Sequence, residues 1–436
     1  MKRTIKDLIN TEGLEYSEYV ISERALPSLV DGLKPSQRYF LYSCIRNANN
    51  TFKKIAAISG VVSEYGYNHA ETAILDTGAA MANTWANNYP IVLGRGNFGS
   101  RSNRDAAAPR YIFAKIDENF EHLFLDNDLL LPSTKKGSDL PEFYLPVIPY
   151  VLLNGTSGIA VGYATDIPPH CPKSVAEQTI ACIKNGSCDD AMISFPEFIG
   201  TVDQEERTVS GRVELKSKYI ARITELPPQF DRVTYIKFLD KLVDSSKIVS
   251  YDDLCGTEFE FEFEVKLKRD KTYNEKDLMN LFDLTKSFKY NINVILSDGK
   301  RKTYEQTKDL IRDFVDYRIT FYPIRIQKRI DEFTEKYELA NEKLRFIDEF
   351  NNQDLDKKLK SFSKKKAIEY LNELNYNRSE LLIGLPIHQI TLDEVDKLKK
   401  LAKEYHDTLI YWQNTTAKAE FIKDVETFLK YLNSKK

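Results

Sequence analysis

The clearest hydrophobic pattern lies in the last third of the chain. Apolar residues recur over residues 326–347 at spacings that alternate between four and three, and again over residues 395–412. This alternation is the heptad repeat of a coiled coil. We therefore predict two long helices that pair as an antiparallel coiled coil within residues 311–436, with a small helical knob at about residues 351–390 at its far end. From the pattern alone, a free coiled coil is the alternative.

The middle of the chain, residues 151–310, mixes the periods of strands and helices. Residues 259–267 have the sequence Phe-Glu-Phe-Glu-Phe-Glu-Val-Lys-Leu, a strict alternation that predicts a half-buried strand. Asp298-Gly299 is the sequence of a tight hairpin turn. Two further strands and one helix are predicted, at residues 219–224, 291–296 and 235–242. We predict a mixed α/β domain without evident chemistry of its own.

The N-terminal part contains short amphipathic segments. Residues 1–26 are predicted to form a helical arm that Pro27 ends. Residues 27–150 are predicted to contain three helices, at residues 35–50, 55–62 and 71–87. The third is indicated by residues spaced four, three and four apart, namely Ile74, Gly78, Met81 and Trp85. With the middle domain and the coiled coil, these elements define a multidomain α+β protein.

Three short helices before an extended glycine-rich stretch are typical of a winged-helix, helix-turn-helix-like unit. Such units place one helix in the major groove of DNA. The third helix carries small residues, namely Ala79, Ala80, Ala82 and Asn83. They suit either a close approach to DNA or a tight contact between helices, and the pattern does not separate the two.

Composition and charge narrow the class of protein. The chain has 436 residues, of which 42% are hydrophobic and 29% charged, as in an ordinary soluble globular protein. It has no apolar run of about 18 residues, so no membrane span is expected. The N-terminus lacks the apolar core of a secretory signal. The five cysteines are scattered without metal-ligand spacing, which favours reduced thiols in the cytoplasm.

The distribution of charge is uneven. A net charge of -3 argues by itself against general binding to nucleic acid. Residues 1–116, however, hold 14 Lys and Arg against 10 Asp and Glu, an excess of four positive charges that leaves -7 for the remainder. A basic first third suits one DNA-facing surface, although an excess of this size is also common on ordinary domains.

The most distinctive chemistry follows the glycine-rich stretch Gly94-Arg95-Gly96-Asn97-Phe98-Gly99-Ser100, which leads to Arg110-Tyr111. A phenol is a poor nucleophile at neutral pH because its ordinary pKa is near about 10. A guanidinium beside it favours the phenolate and can stabilise negative charge on a phosphate under attack. The hypothesis is a tyrosine that attacks a phosphodiester. An Arg-Tyr step alone means little in a chain with 25 tyrosines.

The surrounding blocks make this stretch resemble the breakage-reunion region of type IIA DNA topoisomerases. They lie in the family's order, at residues 23–27, 31–38, 154–162 and 164–170. The resemblance runs from about Ile5 to the C-terminus. It implies a DNA-cleaving and rejoining subunit of an ATP-dependent enzyme, in which two such subunits open a duplex for passage of a second one. A non-catalytic DNA-binding or scaffolding coiled-coil dimer derived from the family is the alternative.

The resemblance also implies roles for individual residues. Tyr111 is the expected nucleophile, Arg110 stabilises the developing charge, and His69 assists the tyrosine or holds a phosphate. The family's histidine-rich turn is only partly kept, because Tyr67 and Ala70 stand where the pattern has His and Gly. The residues expected to contact DNA are Arg24, Lys34, Arg38, Asn154 and Ile159. Ile159 is expected to wedge between base steps and bend the duplex.

Two further residues match positions that contact drugs in quinolone-sensitive relatives. Those relatives carry a Ser or Thr and, four positions on, an acidic residue, and Thr72 and Asp76 fall at these positions. Residues four apart lie on one face of a helix. We therefore expect Thr72 and Asp76 to form the drug-contact pair.

The resemblance implies partners as well. The family's acidic metal-binding motifs are absent, and Asp126-Asn127-Asp128 belongs to an unrelated acidic loop. No phosphate-binding glycine loop for ATP is evident. We expect no cofactor to be bound by this chain alone, and we expect Mg²⁺ and ATP to be bound by a topoisomerase large subunit, on one or two chains. The knob is expected to form a homodimer around double-stranded DNA.

Within the family, the chain is similar to the T-even-type phage form, which divides its functions among separate chains. The corresponding bacterial gyrase chain would continue into a further β-rich domain, whereas a eukaryotic enzyme would fuse all parts in one polypeptide. A phage-encoded subunit would act in the cytoplasm of the bacterial host.

Overall fold

The computed structural model describes residues 5–130, 132, 140–256, 259–270, 272–353, 355–386 and 392–435. The chain forms two compact units, one made of Met1–Arg318 together with Ile422–Lys436, the other of Ile319–Phe421. The first unit combines helices with small antiparallel sheets, and the second is helical. The predicted α+β class is confirmed.

The N-terminal arm is helical up to Ala25, and Leu26 is extended, as expected for the residue before Pro27. Pro35 occupies the first turn of the next long helix, and Phe40, Leu41 and Cys44 are fully buried on its inner side. The helices are α1 Ile5–Leu8, α2 Leu14–Val20, α3 Pro35–Asn47, α4 Ile55–Gly60 and α5 Glu71–Ala82, with π-helical turns Ile9–Gly13 and Ile21–Ala25 and a 3-10 turn Val62–Tyr65.

Helices α3 and α5 pack very closely. A Cβ atom on Gly78 would lie 2.4 Å from the ring of Phe40, so only glycine fits at this crossing. Ala82 is buried on the same side, whereas Ala80 is exposed. The small residues of α5 therefore serve a helix–helix contact on one face and leave the other face open.

Helix α5 ends at Ala82, five residues before the predicted end. Asn83 is extended, and the Asn87 side chain donates to the backbone carbonyls of Ala80 and Asn83, at 2.8 and 2.9 Å. These bonds satisfy carbonyls that a longer helix would have paired internally. The prediction that Trp85 continues the apolar face of this helix is wrong, since its indole N–H donates instead to the Phe98 carbonyl at 3.0 Å.

A small antiparallel sheet follows, in the order β1, β3, β2. Its strands are β1 Lys53–Lys54, β2 Val92–Arg95 and β3 Phe113–Ile116. The glycine-rich stretch begins in β2 and continues into the loop before β3. After it come helix α6 Glu118–Leu123, the 3-10 turn Asn127–Leu129, helix α7 Tyr150–Leu153 and a hairpin of β4 Thr156–Ile159 and β5 Ala164–Ile167.

The middle of the chain has the predicted mixture of strands and helices. Its elements are α8 Pro172–Asn185, β6 Thr201–Asp203, β7 Thr208–Ser210, β8 Arg212–Ser217, β9 Ile220–Glu225, α9 Arg232–Asp244, β10 Ser250–Asp253, β11 Phe263–Lys266, α10 Glu275–Leu281, β12 Thr285–Ser287, β13 Ile292–Ile295, β14 Arg301–Tyr304 and α11 Thr307–Arg318. A four-stranded sheet in the order β10, β11, β9, β8 packs with helix α9 around an aromatic core, and a second sheet has the order β12, β7, β6.

Most predicted elements of this region are confirmed, and one predicted strand is longer than the observed one. Strands β9 and β13 and helix α9 lie at the predicted positions, and β13 and β14 form a hairpin across Asp298-Gly299, where Gly299 has a φ of 79°. The strand predicted at 259–267 is shorter, because Gly256 N–H donates to the Phe259 carbonyl at 2.8 Å and places Phe259 in a turn. Within β11 itself, buried and more exposed residues alternate as predicted.

The second unit is an antiparallel helix pair with a helical knob, as predicted. Helix α12 Phe321–Asn352 runs beside α16 Leu392–Asn414, and Phe333 meets Tyr405 with ring centroids 6.2 Å apart. The knob helices α13 Leu355–Lys360, α14 Lys364–Glu373 and α15 Ser379–Ile383 share one core with the adjoining parts of α12 and α16. The predicted knob residues 387–390 lie outside the described residues.

The boundary predicted at residue 311 differs from the observed one. Helix α11 belongs to the first unit, and so does most of the last helix, α17 Ala417–Ser434. In α17 the Tyr431 ring stacks on His122 at 3.6 Å and Phe428 packs against Tyr89, while Lys435 forms a 2.9 Å ion pair with Glu118. Heptad spacing in the coiled coil could not reveal these contacts.

Candidate active site

Tyr111 is displayed on the surface of a firmly held turn. Its side chain is 64% exposed, while the next residue, Ile112, is 1% exposed. The backbone carbonyls of Ile112 and Pro109 accept hydrogen bonds from Ile55 and Ala56 at the start of α4, at 3.0 and 3.2 Å. The first turn of α4 therefore fixes the backbone on both sides of the tyrosine and leaves its hydroxyl accessible.

Arg110 lies against the tyrosine. Its guanidinium carbon is 4.7 Å from the centre of the Tyr111 ring, within the range of a cation–π contact. Both side chains are exposed. The structure thus brings together the two residues that the sequence singled out, with the positive charge of Arg110 over the Tyr111 ring.

The glycine-rich stretch before Tyr111 is packed rather than loose. Gly96 and Gly99 have φ angles of 124° and 80°, which L side chains rarely adopt. A Cβ on Gly96 would lie 2.9 Å from the Ile112 side chain. The buried Phe98 is tied to Trp85, whose indole donates to the Phe98 carbonyl. Glycines here allow the loop to pack directly against the turn that carries the tyrosine.

The same loop is anchored to the middle of the chain by Arg101. Its guanidinium forms two bonds to the Glu225 carboxylate, at 2.8 and 3.1 Å, and also donates to the carbonyls of Glu197 and Leu226. The Arg101 and Glu225 side chains are only 7% and 3% exposed. Sequence reasoning missed this pair, because the two residues are 124 positions apart and no local pattern joins them.

A cavity of about 330 Å³ gathers a second set of predicted site residues. Arg24, Lys34 and His69 line it, together with Tyr67 and the open face of α5 at Ala73, Thr77 and Ala80. Arg110 and Tyr111 are not among the described residues that line it. Two cationic side chains and a histidine around one cavity form an arrangement that can receive a phosphate.

His69 is held by aromatic neighbours. The Tyr19 hydroxyl is hydrogen-bonded to His69 Nε2 at 3.2 Å, and the Tyr67 ring meets the imidazole edge-on at 5.1 Å. Tyr67 is buried, and burial raises its pKa despite the nearby Arg24, so it stays neutral. Tyr19 was not foreseen from the sequence, since nothing in the arm pattern points to the histidine.

Lys34 links the cavity to the β4–β5 hairpin. Its Nζ donates to the Ser157 carbonyl at 2.5 Å, and burial lowers its pKa. Gly158 packs so closely on the arm that a Cβ there would lie 2.2 Å from the Ala25 carbonyl. The hairpin then presents Ile159 near its tip, 85% exposed. An apolar side chain this exposed is accessible to a ligand, and its role as a wedge stays a prediction.

Arg38 is paired with a buried carboxylate. Its guanidinium makes two bonds to the fully buried Asp31 carboxylate, at 2.7 and 2.9 Å, and its side chain is 12% exposed. Asp31 also accepts from the Leu33 amide. Arg38 therefore neutralises a buried charge and shapes the turn before α3, and its expected contact with DNA stays a prediction.

Asn154 is likewise structural. Its side-chain carbonyl accepts from the Tyr89 amide at 2.7 Å, and its NH₂ group donates to the Tyr89 carbonyl and the Tyr150 hydroxyl, at 3.0 and 2.9 Å. Both amide protons are thus already engaged. The expected contact of Asn154 with DNA stays a prediction.

Thr72 and Asp76 are exposed one turn apart on α5. Their arrangement fits the predicted drug-contact pair.

In the acidic loop, Asp126 forms a 2.5 Å ion pair with the buried Arg318. No group of three or more His, Cys, Asp or Glu that could hold a metal occurs within the described residues.

Comparison with known proteins identifies the family. Residues 24–428 match the family of the A subunits of DNA gyrase and topoisomerase IV. The DNA topoisomerase medium subunit of Enterobacteria phage T4 is 36% identical over 438 aligned residues, which cover 97% of this chain and 98% of that protein. This chain belongs to that family, which is part of the type II DNA topoisomerases. The resemblance inferred from the sequence motifs is thereby confirmed.

Eukaryotic relatives match over part of their length. The mitochondrial DNA topoisomerase 2 of Dictyostelium discoideum is 28% identical over 91% of this chain and 32% of its own length. The crystal structure of the Plasmodium falciparum topoisomerase II DNA-binding, cleavage and re-ligation domain superimposes with a TM-score of 0.83 and 26% identity, covering 98% of this chain and 64% of that one. In the described part of the present chain, no helix is both long and apolar enough to cross a membrane.

Proposed function

We propose that this chain is the DNA-cleaving and rejoining subunit of an ATP-dependent type II DNA topoisomerase, with Tyr111 as the nucleophile. The observation that carries the proposal is the presentation of Tyr111, which is 64% exposed on a turn fixed by α4, with the Arg110 guanidinium 4.7 Å from its ring. A phenol displayed in this way is accessible to a DNA backbone.

In the proposed reaction, Tyr111 Oη attacks a backbone phosphorus. The new bond is a 5′-phosphotyrosine, the bond from phosphorus to the 3′-oxygen breaks, and the phenol proton passes overall to that 3′-oxygen. Arg110 stabilises negative charge on the phosphoryl oxygens. Attack by the 3′-hydroxyl reverses the step and restores the tyrosine. Because one phosphate ester replaces another, rejoining needs no additional bond energy.

The cavity lined by Arg24, Lys34 and His69 is proposed to hold the DNA backbone beside the scissile phosphate. Charged side chains there would contact phosphates without reading the base sequence. Ile159 is proposed to enter the base stack and bend the duplex, with β4 and β5 as a rigid support. Lys34 braces that hairpin through its bond to the Ser157 carbonyl, so backbone contact and bending act on the same duplex.

Mg²⁺ and ATP are proposed to be bound by a separate large subunit. Both subunits would act in the cytoplasm, which is the cytoplasm of the bacterial host if the chain is phage-encoded. The name of the T4 relative, a medium subunit, supports an assembly of several chains. The proposal is tested by mixing the chain with its large subunit, Mg²⁺ and ATP and following relaxation of supercoiled plasmid. Relaxation supports it. DNA binding without relaxation or covalent adduct would favour the non-catalytic scaffold instead.

A homodimer through the knob would give each duplex two tyrosines, one for each strand. Support comes from the apolar Leu381 on α15, which is 45% exposed in the single chain. A heterodimer of one parent chain and one Tyr111→Phe chain, isolated with two affinity tags, is then expected to nick DNA and to pass no second duplex. Double-strand breaks from this heterodimer would mean that another residue is the nucleophile or that one tyrosine cuts both strands.

Thr72 and Asp76 are proposed to contact quinolone drugs. Replacing the exposed Thr72 hydroxyl by an apolar group, Thr72→Leu, is expected to lower quinolone-stimulated cleavage while plasmid relaxation stays near the parent level. Thr72→Ser keeps the hydroxyl and serves as the matched control. Equal drug stimulation in the Leu variant and the parent would refute this assignment.

A further inference from the structure

The knob carries an unusual concentration of positive charge. Residues 357–366 have the sequence Lys-Lys-Leu-Lys-Ser-Phe-Ser-Lys-Lys-Lys, with six lysines and no acidic residue, in a chain whose net charge is -3. One of them, Lys360, forms a 3.0 Å ion pair with the preceding Asp356. These residues span the end of α13 and the start of α14. All six lysines are exposed: Lys357, Lys358, Lys360, Lys364, Lys365 and Lys366. We name this set the knob lysines.

The fold directs these lysines outward together. Leu355, Ala367 and Leu371 are buried on the inner side of the two short helices, which leaves the lysine positions facing solvent. Tyr370 and Phe362 lie among the lysines, with their rings 5.5 Å apart at a steep angle.

Two of the knob lysines rest on these aromatic rings. Lys358 donates to the Tyr370 hydroxyl at 3.2 Å, and Lys366 Nζ lies 4.8 Å from the Phe362 ring centre. A cation near the face of an aromatic ring is attracted to it. The patch therefore has a defined aromatic base rather than being a set of unrelated side chains.

The placement of three of the lysines runs against helix electrostatics. Ser363 caps α14 by accepting from the Lys366 amide, so Lys364, Lys365 and Lys366 fill the first turn, which contains no acidic residue. The positive end of the helix dipole favours acidic side chains there and disfavours cations. A local arrangement that costs stability points to a function for the charge.

We propose that the knob lysines form a second DNA-contact surface, which binds the phosphate backbone of duplex DNA without reading its sequence. Charge complementarity supports a polyanion as the occupant, because six exposed lysines in ten residues match a duplex that carries one phosphate for about every 1.7 Å of its axis. The choice of DNA as that polyanion rests on the proposed function. The aromatic base supports the lysine stems, and flexible ammonium groups reach phosphates as point charges.

The experiment compares two triple variants of the full chain. Lys364→Gln, Lys365→Gln and Lys366→Gln together remove half of the patch. The control, Lys397→Gln, Lys400→Gln and Lys403→Gln, removes the same charge from exposed positions on α16, where acidic residues are interspersed. Affinity for a long duplex of random sequence is measured at several salt concentrations, and circular dichroism checks that both variants fold.

Each lysine that contacts a phosphate contributes roughly 0.9 to the slope of log affinity against log salt. We expect the knob variant to lose about one unit of slope for each contacting lysine, up to about three, and the control to keep the parent slope. Equal slopes for all three proteins would overturn the proposal. So would a knob variant that keeps the DNA slope but loses binding to the large subunit, since the patch would then serve an acidic protein.

Formation of the covalent DNA adduct is assayed separately in the same preparations. An adduct in the parent together with equal DNA slopes would leave the cleavage function standing and overturn only the knob surface. A lowered slope in the knob variant without any adduct in the parent would support the knob surface and contradict the cleavage function. The two proposals therefore fail independently.

Discussion

Replacing Tyr111 with Phe is expected to abolish the covalent attachment of DNA while leaving the fold and DNA binding intact. The substitution removes only the hydroxyl, and the ring is 64% exposed, so no core contact is lost. The Arg110 guanidinium can still rest on the phenylalanine ring. Because no neighbouring group replaces the nucleophile, cleavage should fall by many orders of magnitude, as when the nucleophiles of other enzymes are removed.

The measurement uses the variant chain with its large subunit, Mg²⁺ and labelled plasmid, stopped with denaturant. Another exposed tyrosine, Tyr163, provides the matched control, because its ring is 39% exposed beside the β4–β5 hairpin turn. Tyr163→Phe should still form the adduct. If the Tyr111→Phe protein still formed the covalent adduct, Tyr111 could not be the nucleophile.

Arg101→Met is expected to lower both the free energy of unfolding and the cleavage activity. The substitution keeps an unbranched side chain but leaves the Glu225 carboxylate, 3% exposed, without its partner. Breaking a buried pair in this way costs about 3–5 kcal/mol of unfolding free energy, since the remaining charge stays buried. The loop that carries Tyr111 loses its anchor to the middle of the chain at the same time, so cleavage should also decline.

Urea denaturation of the parent and variant measures this loss. The exposed pair Lys216–Glu264 gives a control with the same chemistry, because the Lys216 side chain is 58% exposed. Lys216→Met should cost less than about 1 kcal/mol. If Arg101→Met were as mild as this control, the buried pair could not be the anchor of the loop.

Patterns that repeat locally allowed the larger architecture to be predicted. The heptads of α12 and α16 depend on spacing alone, and the antiparallel pair was predicted correctly. The end of α5 was missed because it depends on the Asn87 side chain reaching back to Ala80 and Asn83, which no apolar period records. The return of α17 to the first unit was missed for a similar reason, since Tyr431 and Lys435 meet residues more than three hundred positions earlier.

The sequence predicted the proximity of Arg110 and Tyr111 but not the hydrogen-bond partners of Arg38 and Asn154. Arg110 and Tyr111 are adjacent in sequence, so their pairing required no knowledge of the fold. Arg38 and Asn154 lie in family motifs, but their side chains are used by Asp31 and by Tyr89 and Tyr150. A motif position therefore does not reveal which side chains are hydrogen-bonded within the fold. These contacts follow from the three-dimensional structure.

The central claim is that Tyr111 becomes the covalent link between this chain and DNA. The most direct test is to trap the cleaved complex with denaturant, digest protein and DNA, and identify the nucleotide-bearing peptide by mass spectrometry. We expect a nucleotide joined through its 5′-phosphate to Tyr111, in the peptide that contains Ala108-Pro109-Arg110-Tyr111 or begins at Tyr111. A nucleotide on any other residue of this chain, or attached through a 3′-phosphate, would contradict the claim.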